Sequence, residues 1–406
     1  MGYIGLSFII LILFIIILWA YKKHAIFLEF IGCIYLFSAI IALLLLGRSF
    51  KHDISLISCI IFIIAISLFL IPYSKQMPPF INSFDTFHLK KMKLIAISLS
   101  MLLILGDILV TSKLQEVMFY GFAETRIMGY NGDETLTTYT TAQHIGHSIL
   151  RWLSGLSYLL IMLFFYCVAF VRKNWFLKTL LLVASLSAPY YGLLSAGRTR
   201  IIYWVLFFIV SYLLFKNYLN HRAKILTNVV MSSFLFVIIG IMVSISIVRA
   251  EMQNLDAIEF FGDYAGKPIL NFCWFFDEFD YHPISFYRIL PIVSTIAMGR
   301  FNLLDYQYDV YNHSNMEING FNTLLGDFFI DIGVVGMFVV SLFYFSVTQN
   351  LMRKRHFGIL EICILTILLQ IPLHGLFYYS LWQMESSVCS ILTIAIGKLL
   401  TTRISL

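Results

Sequence analysis

Charge is scarce in this chain. Aspartate, glutamate, lysine and arginine make up 12% of its 406 residues, about half the share found in an ordinary soluble domain. Most of the chain therefore has no conventional water-facing surface. The six cysteines show no CxxC pair and no metal-like spacing. Cys33, Cys59, Cys167, Cys363 and Cys389 fall in apolar runs and Cys273 in a polar stretch, which speaks against a disulfide framework or a zinc site. The first apolar run, YIGLSFIILILFIIILWA, has no basic segment before it and no small-residue cleavage site after it, so it reads as a retained helix. No repeat period and no low-complexity tract is visible.

Apolar sequence fills the space that charge leaves. The chain is 60% hydrophobic and 17% aromatic, with a mean hydropathy of +0.87. Stretches long enough to cross a bilayer core of about 30 Å recur from end to end. The expectation is an all-α, polytopic integral membrane protein, with residues 1–406 as a single membrane domain. About eleven spans are expected, at roughly 3 to 20, 25 to 46, 54 to 72, 94 to 112, 148 to 171, 178 to 196, 201 to 218, 225 to 248, 324 to 348, 358 to 377 and 380 to 398.

The formal net charge is +6, but the basic residues cluster at membrane edges, so no nucleic-acid partner is expected. The short basic connections YKKH, HLKKMK, RKNWFLK, NHRAK and MRKRH alternate with longer segments that lack such concentration. By the positive-inside rule this puts the N-terminus outside and the C-terminus in the cytoplasm. The large segment at 249–323 then faces outward. Its apolar piece ISFYRILPIVSTIAM, broken by Arg288 and Pro291, is expected to form a re-entrant or interfacial helix.

On that assignment LSAGRTR, Leu194 to Arg200, also lies on the outer side, where basic residues are disfavoured. Arg198 and Arg200 either snorkel to the interface or serve a ligand. Arg151, Arg249, Arg288 and Arg300 share that side. A guanidinium is a planar fork of donors that grips phosphate oxygens two at a time, so an outer arginine cluster suits a phosphate-bearing, membrane-borne ligand. Asp327 and Asp331, four apart, share a helix face. They are expected either to pair with arginines and hold the cluster or to act as a base.

These residues resemble a family. LSAGRTRIIYWVLFF is similar to the Ser/Gly-Gly-Arg-Thr motif that opens a span in Wzy-type O-antigen and capsular repeat-unit polymerases. NTLLGDFFIDIGVVG, Asn322 to Gly336, looks like their Asn-x-x-Thr…Asp-x-Gly-x-x-Gly segment, and DYAGKPILNF like the Tyr-x-x-Gly stretch in their large outer loop. Ala196 stands where a second glycine is common, Arg200 is an additional base, and Ile332 replaces an aromatic or leucine. The likeness lies mainly between residues 190 and 345.

The resemblance implies a glycosyltransferase of the bacterial inner membrane, its active site facing the periplasm or exterior. It would join undecaprenyl-pyrophosphate-linked oligosaccharide repeats without cofactor or metal, with a chain-length regulator protein as a possible partner. Such transfer needs positive charge for the departing pyrophosphate and a base for the acceptor hydroxyl. Arg198, Arg200, Arg249 and Arg288 are candidates for the first role. Asp277, Glu278, Asp280 and His282, in WFFDEFDYHP, are candidates for the second, unless that run is a solvated acidic face. A lipid-linked oligosaccharide flippase or transporter, and an O-antigen ligase, are the competing readings.

Overall fold

The computed structural model describes residues 1–75, 80–81, 86–120, 139–171, 173–194, 197–229, 232–233, 236, 240, 243, 257–284, 286–298, 303–316, 318, 321–381 and 383–401. In chain order its helices are α1 (Gly2–Lys22), α2 (Ile26–Leu45), α3 (Leu56–Leu70), α4 (Thr86–Tyr120), α5 (Thr141–Leu153), α6 (Ser157–Phe170), α7 (Trp175–Ser185), α8 (Ser187–Leu194), α9 (Thr199–Phe215), α10 (Ala257–Glu278), α11 (Pro291–Met298), α12 (Leu303–Ser314), α13 (Thr323–Met352), α14 (Ile359–His374) and α15 (Met384–Thr401). The two strands, Phe80–Ile81 and His356–Phe357, are two residues each.

Nine helical stretches among the described residues are long and apolar enough to cross a membrane. They fit a multi-pass membrane protein. α14 is a shorter apolar helix, and the span expected at roughly 225 to 248 lies largely outside the described residues. Within the segment expected as a large loop, α10 runs for 22 residues with Pro268 inside it. Of the apolar piece that contains Arg288, residues 291–298 form α11, which opens on Pro291, a residue suited to the first helical turn because its missing N–H would be unsatisfied there anyway.

The helices gather into two compact units. The first comprises Met1–Phe80, Asp256–His356 and Ile367–Ser387. Here α1, α2 and α3 pack on one another, and α10 lies against α2 and α3. Gly266 lets α10 approach closely, because a Cβ there would stand 2.7 Å from the Ala42 nitrogen. Phe62 meets Phe272 at 5.4 Å, and Phe69 meets Tyr344 at 4.5 Å. The Tyr73 and Tyr344 hydroxyls, 2.7 Å apart, both donate to the Leu368 carbonyl, so these buried phenols are satisfied. The outer face of α1 exposes Leu11, Phe14, Ile15 and Leu18, as a lipid-facing surface would.

The second unit comprises Ile81–Leu255, Phe357–Thr366 and Val388–Leu406. α4 packs against α5, α7 and α8, and α6 against α7 and α9. A capping box starts α5: the Thr140 hydroxyl accepts from the Gln143 N–H at 3.3 Å, and the Gln143 side chain accepts from the Thr140 N–H at 2.8 Å. α6 is buried along nearly its whole length. Phe165 meets Phe208 at 4.9 Å, and the buried Trp204 donates its indole N–H to the Ser185 hydroxyl at 3.3 Å.

α13, in the first unit, is interrupted. Gly333 sits at φ 70, ψ −177, which breaks the helical ladder. Carbonyls upstream of the break find partners elsewhere: the Ile330 oxygen lies 3.3 Å from His282 Nδ1, and the Asp331 oxygen accepts the Ile284 N–H at 2.9 Å. A Cβ at Gly333 would stand 3.2 Å from His282 Cδ2. Gly333→Ala is therefore expected to cost about 1–3 kcal/mol, from the left-handed backbone and the displaced imidazole together. Thermal unfolding of the purified protein in detergent measures this, and an unchanged Tm would contradict it.

Candidate functional site

In the first unit, the segment after α10 turns Arg288 inward. The guanidinium of Arg288 donates through Nη1 to Asp327 Oδ1 and through Nη2 to the Ile318 carbonyl at 3.0 Å. Its backbone N–H donates to Asp331 Oδ2 at 3.1 Å. The second oxygen of Asp327 accepts the Tyr379 N–H at 2.7 Å. All three charged residues are buried, and the Tyr306 ring lies 5.8 Å from the guanidinium carbon.

Burial disfavours the Arg288 charge, but Asp327, with Tyr306 and Asp331 behind it, outweighs that effect and raises the Arg288 pKa above the ordinary guanidinium value. The arginine stays cationic. This arrangement fastens the first half of α13 to the chain on either side of α11 and α12. Among the described residues, Arg288 is thus the arginine that Asp327 pairs with.

The four base candidates, all in the first unit, have separate surroundings. Asp277 sits at the N-terminus of α3, accepting from the Ser55 N–H and the Ser55 hydroxyl, each at 2.6 Å, and from the Ser58 hydroxyl at 3.2 Å. A carboxylate in that position satisfies orphan amide donors and complements the helix dipole. His282 lies beneath the Gly333 break, between Phe279 and Phe329. Glu278 and Asp280 are exposed.

The second unit holds Arg198 and Arg200. The Gly197 N–H, just ahead of α9, donates to the Gly192 carbonyl at 2.8 Å. Arg198 is the residue before α9 and is buried; its carbonyl accepts the Ile201 and Ile202 N–H groups. Arg200, in the first turn of α9, lays its guanidinium over the Tyr191 ring at 4.4 Å and donates Nη1 to the Ser154 hydroxyl at 2.8 Å. Stacking of that kind contributes about 0.5–1 kcal/mol at a partly exposed site. It also orients a fork of five donors, of which Ser154, among the described residues, takes one.

Around this pair lies α5. Its His147 ring stands 5.4 Å from the Tyr191 ring and 5.2 Å from that of Tyr139. Tyr139 is also 5.2 Å from His144 and carries the Lys113 ammonium 5.6 Å from its centroid. His144, Arg151 and Arg200 all act electrostatically on His147. The second unit thus assembles Lys113, Arg151, Arg200 and two histidines around Tyr139 and Tyr191, beside the amino-terminal end of α9, where the helix dipole also favours an anion.

Sequence alone gives Arg151 as one of the outer arginines but does not single out Lys113, His144 or His147 as its companions. His144, His147 and Arg151 recur at i, i+3 and i+7, the spacing of one helical face, and that pattern is the available signal. Arg249 and Arg300 lie outside the described residues. Among the described residues, no group of three or more His, Cys, Asp or Glu is placed to hold a metal ion. Comparison with protein-family models, curated proteins and solved structures finds no match to the chain.

Removing Arg288 leaves a buried, uncompensated carboxylate. Arg288→Met is expected to cost about 3–5 kcal/mol, and Arg288→Met with Asp327→Leu to regain part of that loss, because neither charge then remains. Denaturation of the single and double variants measures the coupling; additive losses would contradict it.

Proposed function

We infer that the chain is a lipid-diphosphate-dependent glycosyltransferase that joins oligosaccharide repeats carried on undecaprenyl pyrophosphate, in the manner of O-antigen and capsular repeat-unit polymerases. The observation that carries the reading is the cationic and aromatic group in the second unit. Arg200 is fixed by Tyr191 and Ser154, Arg198 lies two residues before it, and Arg151, Lys113 and His147 stand around them. Arg200, held by an aromatic face and a hydroxyl, keeps its charge available to a diphosphate, and tyrosine rings offer flat surfaces to sugars. The working membrane on this reading is the bacterial inner membrane, with the group facing away from the cytoplasm.

In the reaction, the acceptor hydroxyl attacks the anomeric carbon of the donor and the bond to the diphosphate breaks. Arg200 and Arg198 stabilise the charge that develops on the departing oxygen. The ligase reading uses the same chemistry with a different acceptor. One observation favours a transporter instead: α13 is interrupted within a membrane-length helix, as in many carriers. Its break, however, is tied to His282 and Ile284 by hydrogen bonds, and Arg288 is committed to Asp327.

Arg200→Lys and Arg198→Lys separate a bidentate phosphate contact from simple interfacial charge. A loss of polymer formation of about tenfold or more at unchanged expression is expected for at least one of them, because lysine keeps the charge and loses the fork. Polymer length and rate in cells making the native repeat are the readout. Full activity in both, and in Arg200→Ala, would contradict the reading. Export of unpolymerised repeat that stops in all three would favour the transporter.

A further inference from the structure

We propose that His147 is the catalytic base of this site, the group that takes the proton of the acceptor hydroxyl; the proposal rests on the glycosyltransferase reading. The reaction needs a base close to the cations that hold the diphosphate, and those two requirements conflict for a carboxylate. An aspartate beside Arg200 would pair with it and cancel the charge the leaving group requires. An imidazole avoids the conflict, because its basic form is neutral and leaves the neighbouring guanidinium charges intact.

The second unit places such an imidazole where it is needed. His147 Nε2 lies 3.4 Å from the Tyr191 hydroxyl, and the same Tyr191 ring carries the Arg200 guanidinium on its face. One tyrosine therefore spans the base and the phosphate-binding cation. At 3.4 Å the contact with Nε2 is at the outer limit of a hydrogen bond, so an incoming sugar hydroxyl can replace it. The ring is half-buried and held between Tyr139 and Tyr191, which limits its rotation.

The charged and titratable groups around the imidazole are His144 and Arg151 on α5, Arg200 on α9, Tyr191 on α8, and Tyr139 with the Lys113–Glu116 pair of α4 behind it. Glu116 bonds Lys113 at 2.8 Å. Asp107, also on α4, accepts the Ser187 hydroxyl at 2.6 Å. Neither carboxylate is among the charges that act on His147.

The step balances. The acceptor oxygen forms its bond to the anomeric carbon, its proton moves to Nε2, and the electron pair of the broken bond leaves on the polyprenyl diphosphate.

The test uses the full chain in lipid nanodiscs and two readouts. Binding is measured with undecaprenyl diphosphate, and turnover with lipid-linked repeat extracted from cells lacking this chain, from about pH 5 to about pH 9, a range that brackets the ordinary imidazole pKa. His147→Gln and His147→Asn are expected to bind the lipid diphosphate within about threefold of wild type and to lose about 100-fold or more in turnover, the usual contribution of a positioned base. Wild-type turnover should fall toward acid pH as His147 gains a proton, and that acid limb should be absent from any residual activity of the variants. Tyr191→Phe keeps the imidazole and should shift the acid limb without abolishing turnover, which guards against a variant that merely misfolds.

Turnover within about tenfold of wild type in either histidine variant, or an acid limb that none of the three variants changes, overturns the proposal. If wild type neither binds undecaprenyl diphosphate nor extends the repeat, the glycosyltransferase reading itself fails. If it does both while the histidine variants remain fully active, only the role of His147 fails.

Discussion

A guanidinium carried into an apolar helical body must keep its charge, because its pKa is too high for neutralisation to offer a way out, so the surroundings have to supply compensation. Each unit of this chain supplies it differently. Arg288 is met by Asp327, by the Ile318 carbonyl and, through its backbone, by Asp331. Arg200 is met by the face of Tyr191 and the hydroxyl of Ser154, both neutral. The first solution cancels charge and joins segments of the fold. The second holds the cation in place while leaving its positive field intact.

That difference divides labour among residues of one chemical type. The Arg288 network, with the Tyr379 N–H on the far oxygen of Asp327, fixes the short half of α13 that precedes the break at Gly333. Its hydrogen bonds are nearly all internal, so it has little left to offer a substrate. In the second unit, Arg200 is held by an aromatic face and a neutral hydroxyl, next to a helix N-terminus and further cations. On the proposed function that combination suits a diphosphate, and tyrosine faces nearby suit a sugar.

The long apolar helices are legible in sequence because an uncharged run of Ile, Leu and Phe of bilayer length would be insoluble anywhere but in lipid or a large protein core, and α1 to α4 fall where hydropathy puts them. α10 is not legible. Glu259, Asp263 and Lys267, with Gly262, Gly266 and Pro268, dilute its hydropathy, although Ile269, Leu270, Phe272, Cys273 and Phe275 bury one side of it. The four-residue spacing of Asp327 and Asp331 announces a shared face, and both carboxylates do meet Arg288. The identity of that partner, 39 residues from Asp327, depends on tertiary structure alone. The acidic run at 277–282 has the composition of a catalytic segment, yet Asp277 caps α3 and His282 supports the helix break, two roles set by neighbours 222 and 48 residues away. His147 carries no signal as a single histidine, since its meaning comes from α8 and α9.

The proposed chemistry depends on the second unit holding a lipid diphosphate against its arginine and tyrosine side chains. A polyprenyl diphosphate bearing a photoreactive group next to its phosphates, cross-linked to the protein in membranes and mapped by mass spectrometry, reads that contact directly. Labelling concentrated on the 144–151 and 190–200 peptides, and competed by unlabelled undecaprenyl diphosphate, is the predicted result. Competable labelling confined to other parts of the chain would contradict it.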